Sequence, residues 1–409
     1  MESPGSHSKD MARYRGAVEE FFTARVPRRS TAQRSYGTGS DEIAILDDRT
    51  RTEEAVHLAH ARHWCAELFD AGYAWIDGSA HLGGGGLSEA HVKVFHDVEA
   101  GFDTPRLDLL VPSRRVVAPG IAATADRSLA AELVPALLRA DLVACQLFSE
   151  PGAGSDLSAI STRAEPEGNR WRVNGQKVWS SGAHFSDIGL LIARTDPQSQ
   201  RHAGLSAFII DMRQVGVTIR PIEQMCGGAH FNEVFLDDAV VEDRARLGVV
   251  GDGWRIAMAT LAGERQSVAV STDNSTMAVV LRLMELARHR LDDSPASAVL
   301  RDRVMDAYTR ARVAELLVEH QVDQARREGK PSSAASIGKL LRSQILRLAV
   351  DTAGDILAED AIADTGRWDS FVWGKAMLQI PGVSIGGGTD EIQRNIVAER
   401  VLGLPKDPR

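Results

Sequence analysis

The chain has 409 residues, of which 44% are hydrophobic and 25% are charged, and its formal net charge is −9. This length suits two or three packed domains, and the negative charge argues against nucleic acid or an anionic membrane surface as the main partner. No segment approaches the ~18 uninterrupted apolar residues of a membrane span. The first ten residues lack the apolar core of a signal peptide, so we predict a cytoplasmic protein. The three cysteines are far apart, which excludes a zinc ribbon or a disulfide framework.

The first part of the chain, residues 11–140, is predicted to form an α-helical domain. Apolar residues recur at helical spacing in residues 12–24, 53–71 and 128–139. Four consecutive glycines at 83–86 are not followed by Lys and Ser or Thr. A turn, or a loop over a pocket, therefore explains this run better than a phosphate-binding loop.

Residues 141–250 are predicted to form a central β-domain. Short apolar runs indicate strands at 142–149, 170–173, 176–181, 188–193, 205–212, 217–222 and 233–236. Asn174-Gly175 predicts a hairpin turn, and residues 165–169 predict a second turn. Because no helices separate the strands, we expect antiparallel pairing in a β-barrel or sandwich, and no doubly wound sheet.

Residues 251–409 are predicted to form an antiparallel helix bundle, which makes the whole chain an α+β multidomain protein. Helical periodicity covers residues 254–291, 297–326, 334–358 and 389–402. The last of these segments begins with Thr389 as a capping residue and with acidic side chains in its first turn.

A glycine-rich turn and a tryptophan-containing segment form the most informative part of the β-domain. In FSEPGAGSD, residues 148–156, the two glycines permit close approach of a ligand, and successive N–H groups can bind a diphosphate. An ordinary β-turn explains this segment alone equally well. In GQKVWSSG, Trp179 and Ser181 are predicted to share one strand face, and an indole beside a hydroxyl suits a planar redox ring. A tryptophan of the β-domain core is the alternative.

Four longer motifs give the chain a specific resemblance. SEPGAGSD, VNGQKVWSSGAHFSD, NEVFLDDAVV and IGGGTDEIQRNIVAERVLGLP occur in that order. They are similar to motifs of the acyl-CoA dehydrogenase superfamily, and the resemblance covers nearly all of the chain after its first ten residues. It implies an FAD-dependent enzyme that converts an acyl thioester, of CoA or of a carrier protein, into the 2-enoyl thioester. It also implies an electron-transfer flavoprotein or a similar acceptor.

The resemblance further implies which residues contact the cofactor and the substrate. The cofactor contacts combine short hydrogen-bond donors with aromatic walls around the flavin. They are Phe148 and Ser149 at the flavin ring, Gly154 and Ser155 at the diphosphate, Trp179 against the flavin ring, Ser181 near flavin N5, and Thr389 and Glu391 in the last helix. The residues assigned to the acyl thioester are Ser155, Arg265 and Gly387.

Removal of the α-proton of an acyl thioester requires a carboxylate base in an apolar pocket. Many family members carry this base just before Gly-Thr at the start of the final helix, where this chain has Gly387. Other branches place it before an arginine in the first long helix of the bundle, where this chain has Glu264 followed by Arg265. One helical stripe runs through Trp254, Ala257, Leu261, Glu264 and Val268. We therefore predict Glu264 as the base, the alternative being a glutamate paired with an arginine at a helix contact.

Two further carboxylates, Asp390 and Glu391, are rivals for this role, but their place in the first turn of a helix has an electrostatic explanation. The alternatives for the whole chain are an acyl-CoA oxidase, a flavin monooxygenase, and a non-catalytic partner subunit of a dehydrogenase.

The adenosine half of the cofactor site departs from the family pattern. Family members carry Arg-x-x-Phe-Gly and Gln-x-x-Gly-Gly on bundle helices that reach a neighbouring subunit's FAD. This chain lacks the first motif, and its second region reads DTAGD, residues 351–355. Because acidic groups near a diphosphate are unfavourable, we predict a dimer or tetramer that is either a homo-oligomer or a hetero-oligomer in which a distinct subunit supplies the missing contacts.

Overall fold

The computed structural model describes residues 4–29, 36–43, 45–199, 201–270, 276–328 and 335–406. Within these ranges it does not describe the side chains of residues 4–9, 262–270, 322–323 and 325–328. The chain forms helices, then a sheet, then helices again, which confirms the expected architecture. The domain boundaries remain predictions.

Five α-helices precede the sheet, and they include the three segments with helical periodicity. They are α1 (Pro4–Thr23), α2 (Arg51–Asp70), α3 (Glu89–Glu99), α4 (Ala118–Thr124) and α5 (Arg127–Arg139). Thr50 and Glu53 form a capping box that begins α2. In the four-glycine run, a side chain at Gly84 would meet the backbone of Gly78 within 2.2 Å. The run is therefore a tightly packed turn.

The central part is one mixed, open sheet of eight strands. The strands are β1 (Ala144–Leu147), β2 (Arg163–Glu167), β3 (Arg170–Lys177), β4 (Ile188–Arg194), β5 (Leu205–Asp211), β6 (Val217–Pro221), β7 (Asn232–Glu242) and β8 (Arg246–Leu247). Their order is β6-β7-β3-β2-β4-β5-β8, and β1 pairs with β4.

The expectation of purely antiparallel pairing in a barrel or sandwich needs correction. β1 and β2 both pair with β4 in the parallel sense, whereas the other pairs are antiparallel. The segment between β1 and β4 is long enough for the crossover that parallel pairing requires. The regular spacing of the strands does not reveal this crossover.

The hairpin predicted at Asn174-Gly175 is wrong. β3 continues through both residues, and its register against β7 shifts between Val173 and Gly175. A side chain at Gly175 would lie 2.4 Å from Oγ1 of Thr162, so this glycine permits a close approach at a bulge. The second predicted turn is confirmed, because β2 and β3 form the hairpin and Gly168 between them has a φ of 66°.

In the part of the chain that the structure describes, six α-helices follow the sheet. They are α6 (Gly253–Val270), α7 (Thr276–Arg290), α8 (Pro295–Glu328), α9 (Ala335–Leu357), α10 (Phe371–Ile385) and α11 (Asp390–Ile396). The segment predicted at 254–291 covers α6, α7 and residues 271–275, which lie outside the described residues. The sequence patterns do not predict α10, because Gly374, Pro381 and Gly382 interrupt its periodicity.

Two hydrophobic cores determine how these parts meet. One core joins α5, the inner side of β4 and β5, and Ile256 and Ala257 of α6. The other joins α7, α8, α9 and α10 and includes Ile43 and Ile45 from the N-terminal part. β1 ends at the first core, because Phe148, the residue that follows β1, belongs to that core. β3 ends beside it, because Lys177, its last residue, donates a hydrogen bond to the carbonyl of Phe148. Among the described helices, none has both the length and the apolar character that a membrane crossing requires.

Candidate active site

A buried ion pair fixes the segment that follows β1. Lys177, the last residue of β3, is fully buried, and its Nζ donates to Oε1 of Glu150 at 2.8 Å and to the carbonyl of Phe148 at 3.0 Å. Glu150 also accepts hydrogen bonds from the backbone N–H groups of Ser161 and Thr162. Burial raises the pKa of Glu150, but the Lys177 charge and these hydrogen bonds outweigh it and lower the pKa to about 2. The pair therefore holds the Phe148–Glu150 backbone rigidly.

The glycine-rich segment forms a tight turn that is open to solvent. Glu150 and Ala153 exchange two backbone hydrogen bonds of 3.1 and 3.0 Å. Gly152, Gly154 and Ser155 are exposed, and a side chain at either glycine would meet no atom within 4 Å. The space in front of this turn is therefore free for a ligand that approaches the backbone.

Trp179 projects from a strained turn beside this segment. The prediction that Trp179 and Ser181 alternate on a strand is wrong, because β3 ends at Lys177. Trp179 has a φ of 59°, its side chain is 59% exposed, and its ring meets Phe231 edge-to-face at 6.0 Å. Strained backbone conformations cluster at active sites and ligand sites, so this exposed indole is a candidate ligand contact.

The two segments lie side by side. The N–H of Val178 donates to the carbonyl of Ser149 at 2.9 Å, which places Ser149 next to the Trp179 turn. Phe148 is buried, whereas Ser149 and Ser181 are half-buried. Neither hydroxyl makes a hydrogen bond within the described part of the chain. The structure thus brings together Phe148, Ser149 and Trp179. Their contacts with the cofactor remain predictions.

The candidate residues at the start of α11 make hydrogen bonds and ion pairs with other residues of the helical bundle. Oγ1 of Thr389 accepts from the N–H of Ile392 and caps α11, while Glu391 is exposed and pairs with Arg394 at 3.1 Å. Asp390 accepts from Nζ of Lys339 at 2.6 Å and from Oγ of Ser343 at 3.0 Å. These pairings give Asp390 and Glu391 structural roles that require no part in catalysis.

Gly387 lies in the exposed loop before α11 and has a φ of 65°. Within the described residues, no hydrogen bond or ion pair joins Gly387, Thr389 or Glu391 to the Ser149–Ser155 turn of the same chain. Their contacts with the cofactor or the substrate remain predictions.

The proposed base lies on α6, between the sheet and the bundle. Ala257 of its stripe is buried in the first core, and Thr260 packs against α4, where a side chain at Gly120 would lie 3.3 Å from Oγ1 of Thr260. Glu264 is one turn further along the same helix. The side chains of Glu264 and Arg265 lie outside the described residues, so both roles remain predictions.

The residues around the Ser149–Ser155 turn fit FAD. The open turn offers backbone N–H groups to a diphosphate, and the exposed indole of Trp179 offers a wall for the flavin ring. The uncommitted hydroxyls of Ser149 and Ser181 match the polar edge of that ring. This donor set agrees with the cofactor that the sequence motifs imply.

Comparisons with known proteins show which family the chain belongs to. Residues 145–239 match the family model described as acyl-CoA dehydrogenase, middle domain, and residues 251–402 match acyl-CoA dehydrogenase, C-terminal domain. The acyl-CoA dehydrogenase IpdE1 of Mycobacterium tuberculosis is 36% identical over 98% of this chain and 100% of its own length.

Solved structures show the same fold. The structure of the Tcur3481-Tcur3483 steroid ACAD has a TM-score of 0.75 at 20% identity, covering 99% of both chains. The ChsE4-ChsE5 complex from Mycobacterium tuberculosis has a TM-score of 0.71 at 23% identity, again covering 99% of both chains. The fold and the site define a flavin-dependent oxidoreductase. The chain belongs to the acyl-CoA dehydrogenase family, and its cofactor is FAD.

Proposed function

We propose that the chain is a cytoplasmic enzyme that oxidises the Cα–Cβ bond of an acyl-CoA to the 2-enoyl-CoA. The observation that carries this proposal is the exposed Trp179 on left-handed backbone beside the open Gly152–Ser155 turn. Bound FAD supplies the hydride acceptor. An electron-transfer flavoprotein is the proposed reoxidant.

The chain's own residues have separate roles in this proposal. Glu264 removes the α-proton from a position on α6, at the junction of sheet and bundle. Phe148 supports the segment beneath the ring, and Trp179 orients the ring from one side. Ser155 contacts the diphosphate or the thioester, and Arg265 shapes the pocket.

We propose a bulky acyl group for the substrate. One structural neighbour, the Tcur3481-Tcur3483 protein, is named a steroid ACAD. In this chain, the loop before α11 also lacks side-chain bulk, since Gly386, Gly387 and Gly388 are consecutive and a side chain at Gly387 would meet no atom within 4 Å. A wall of the pocket formed by this loop leaves room for a ring system.

We expect kcat/KM for a ring-bearing or α-branched acyl-CoA to exceed that for butyryl-CoA by at least about tenfold, because unfilled apolar pocket volume weakens transition-state binding. The measurement is steady-state turnover on a panel of thioesters with an artificial electron acceptor. A long straight-chain thioester controls for total apolar surface. A clear preference for butyryl-CoA would refute the proposed substrate class.

We also propose that a distinct but related subunit completes the adenosine end of the site. Asp351 is exposed on α9, and Asp355, on the same helix, pairs with Arg303 of α8. These acidic groups stand where the family's amide and glycine contact a neighbouring subunit's FAD. Two structural neighbours, Tcur3481-Tcur3483 and ChsE4-ChsE5, carry the names of two components each, which supports this proposal.

Purified alone, the chain is expected to hold less than one FAD per polypeptide, because each unpaired polar contact at the adenosine weakens binding by roughly 1–3 kcal/mol. With its natural partner it is expected to form an α2β2 assembly with two flavins. Flavin absorbance per mass of protein, combined with the mass of the assembly, measures both. A stable homotetramer with four tightly bound FAD molecules would contradict this arrangement.

A further inference from the structure

A buried polar network lies directly behind the Trp179 turn. Its centre is Glu54 on α2, which is 4% exposed. One carboxylate oxygen of Glu54 bonds to Nε2 of His184, and the other bonds to Nδ1 of His230 at 2.9 Å. Arg51 donates to the same carboxylate at 3.2 Å. A residue of the N-terminal part thus holds two histidines of the β-domain.

The two histidines connect Glu54 to the backbone that carries Trp179. The carbonyl of His230 accepts from the N–H of Gly182 at 3.0 Å, and Asn232 Nδ2 lies 3.1 Å from Nδ1 of His184. Asn232 also exchanges hydrogen bonds with Ser180: its carbonyl accepts from the Ser180 N–H, and its Nδ2 donates to the Ser180 carbonyl, both at 3.0 Å. Hydrogen bonds to Asn232 and His230 therefore hold the two ends of the Ser180–Gly182 turn.

Glu54 is ionised within this network. Burial raises the pKa of Glu54, but the hydrogen bonds and charges of His184 and His230 outweigh it and lower the pKa to about 2. The group is therefore a carboxylate at any pH near neutrality, and it accepts at both oxygens. Charge-assisted hydrogen bonds of this kind are shorter and stronger than neutral ones.

A shared metal ion is the rival interpretation of this cluster. Ligand atoms of Asp47, Glu54 and His230 lie within 4.8 Å of one another. However, Glu54 already has the Arg51 guanidinium and two imidazoles as partners, and the guanidinium supplies positive charge without a metal ion. Both carboxylate oxygens of Glu54 already accept hydrogen bonds from these side chains.

We propose that Glu54 is a positioning residue for the flavin site, acting through His184 and His230 to hold Trp179 in its strained, exposed conformation. The left-handed φ of Trp179 is costly for a bulky residue and persists only where the surroundings enforce it. The Glu54 network enforces it, because its hydrogen bonds hold the backbone of Ser180 and Gly182, which follow Trp179. This inference rests on the proposed function, in which Trp179 lies against the flavin.

The test compares E54Q with D108N. Asp108 is the matched control because it accepts from Nε2 of His57, also on α2, at 2.7 Å and from Arg49 at 2.6 Å. Within the described residues, Asp108 makes no hydrogen bond or ion pair with the Trp179 turn. The D108N variant therefore measures the general effect of breaking a carboxylate–histidine–arginine network. Both variants are loaded with FAD and measured with the natural partner subunit if the chain requires one.

For E54Q we expect the FAD dissociation constant to rise about tenfold, since one charge-assisted network is lost behind the ring. Backbone amide hydrogen exchange in residues 179–186 is expected to accelerate in the protein without FAD, and the shape of the bound flavin's visible band is expected to change. D108N should leave all three unchanged. EDTA should not alter the wild type, and an EDTA effect on FAD affinity would overturn the proposal in favour of a metal ion.

The proposal would also be overturned if E54Q showed the same amide hydrogen exchange and the same FAD affinity as the wild type. If E54Q fails to fold, H184Q replaces it, because His184 links Glu54 to Asn232. If the wild type binds no FAD at all, the proposed function fails, whereas the exchange comparison still tests whether Glu54 holds the turn.

Discussion

Replacement of Glu264 by glutamine is expected to abolish thioester-driven flavin reduction while leaving the fold and bound FAD intact. Loss of the base removes about 5 kcal/mol or more of transition-state stabilisation, which corresponds to several powers of ten in rate. Glutamine preserves the size of the side chain and its capacity for hydrogen bonds on α6. Rapid mixing of each protein with its best acyl-CoA in the absence of oxygen measures the rate of bleaching.

The control variant is E391Q. Glu391 is exposed and already pairs with Arg394, so once the variant is saturated with FAD its reduction rate should be close to that of the wild type, even if the predicted contact of Glu391 with FAD is lost. If E264Q turned over at a near-normal rate and E391Q were inactive, the base would be Glu391 in the last helix and not Glu264. That result would also show that this chain follows the family branch with a carboxylate near the Gly-Thr motif.

Replacement of Lys177 by methionine is expected to destabilise the protein by ~3–5 kcal/mol, because it leaves the Glu150 carboxylate buried without its cation. Lys177 is fully buried and Glu150 is 5% exposed, so water cannot replace the lost contact. The free energy of unfolding is measured with a chemical denaturant at neutral pH. The FAD affinity should fall as well, since the same lysine holds the Phe148 carbonyl.

The double variant K177M/E150Q is the control for this prediction. It removes both charges, so it should recover a large part of the lost stability. Because the pKa of Glu150 is lowered from 4.5 to about 2, its stabilisation is fully present above pH 4.5 and is lost as the pH falls toward 2. E150Q should lack this acid-dependent loss. A K177M variant as stable as the wild type would contradict the assigned role of the pair.

The order of helices, sheet and helices can be predicted because hydrophobic periodicity is a local property of the sequence. The same reasoning fails at α10, where Pro381 and two glycines interrupt a helix that tertiary packing nevertheless stabilises. Trp373 of α10 is fully buried in the second core, and that burial outweighs the low local helix propensity. Pattern reasoning cannot anticipate a packing partner that lies far away along the chain.

The sequence suggests candidate site residues, whose roles remain predictions, and it anticipates only part of their geometry. Phe148, Ser149 and Trp179 lie together, but Trp179 reaches its place through a left-handed turn that strand alternation cannot express. The pairing of Lys177 with Glu150 is not among the sequence predictions, although a lysine at the end of an otherwise apolar strand face is an available signal. The Glu54 network escapes sequence reasoning because it joins residues 130 and 176 positions apart.

The central claim is that the chain, with FAD, takes two hydrogens from an acyl-CoA. An anaerobic titration of the FAD-loaded protein, complete with any partner subunit it requires, with a ring-bearing acyl-CoA tests it most directly. The flavin should bleach in proportion to the thioester added, the product should be the 2-enoyl-CoA by mass, and reoxidation on admission of air should be slow. Absence of bleaching with every thioester of the panel, or rapid reoxidation by air with formation of hydrogen peroxide, would contradict the account.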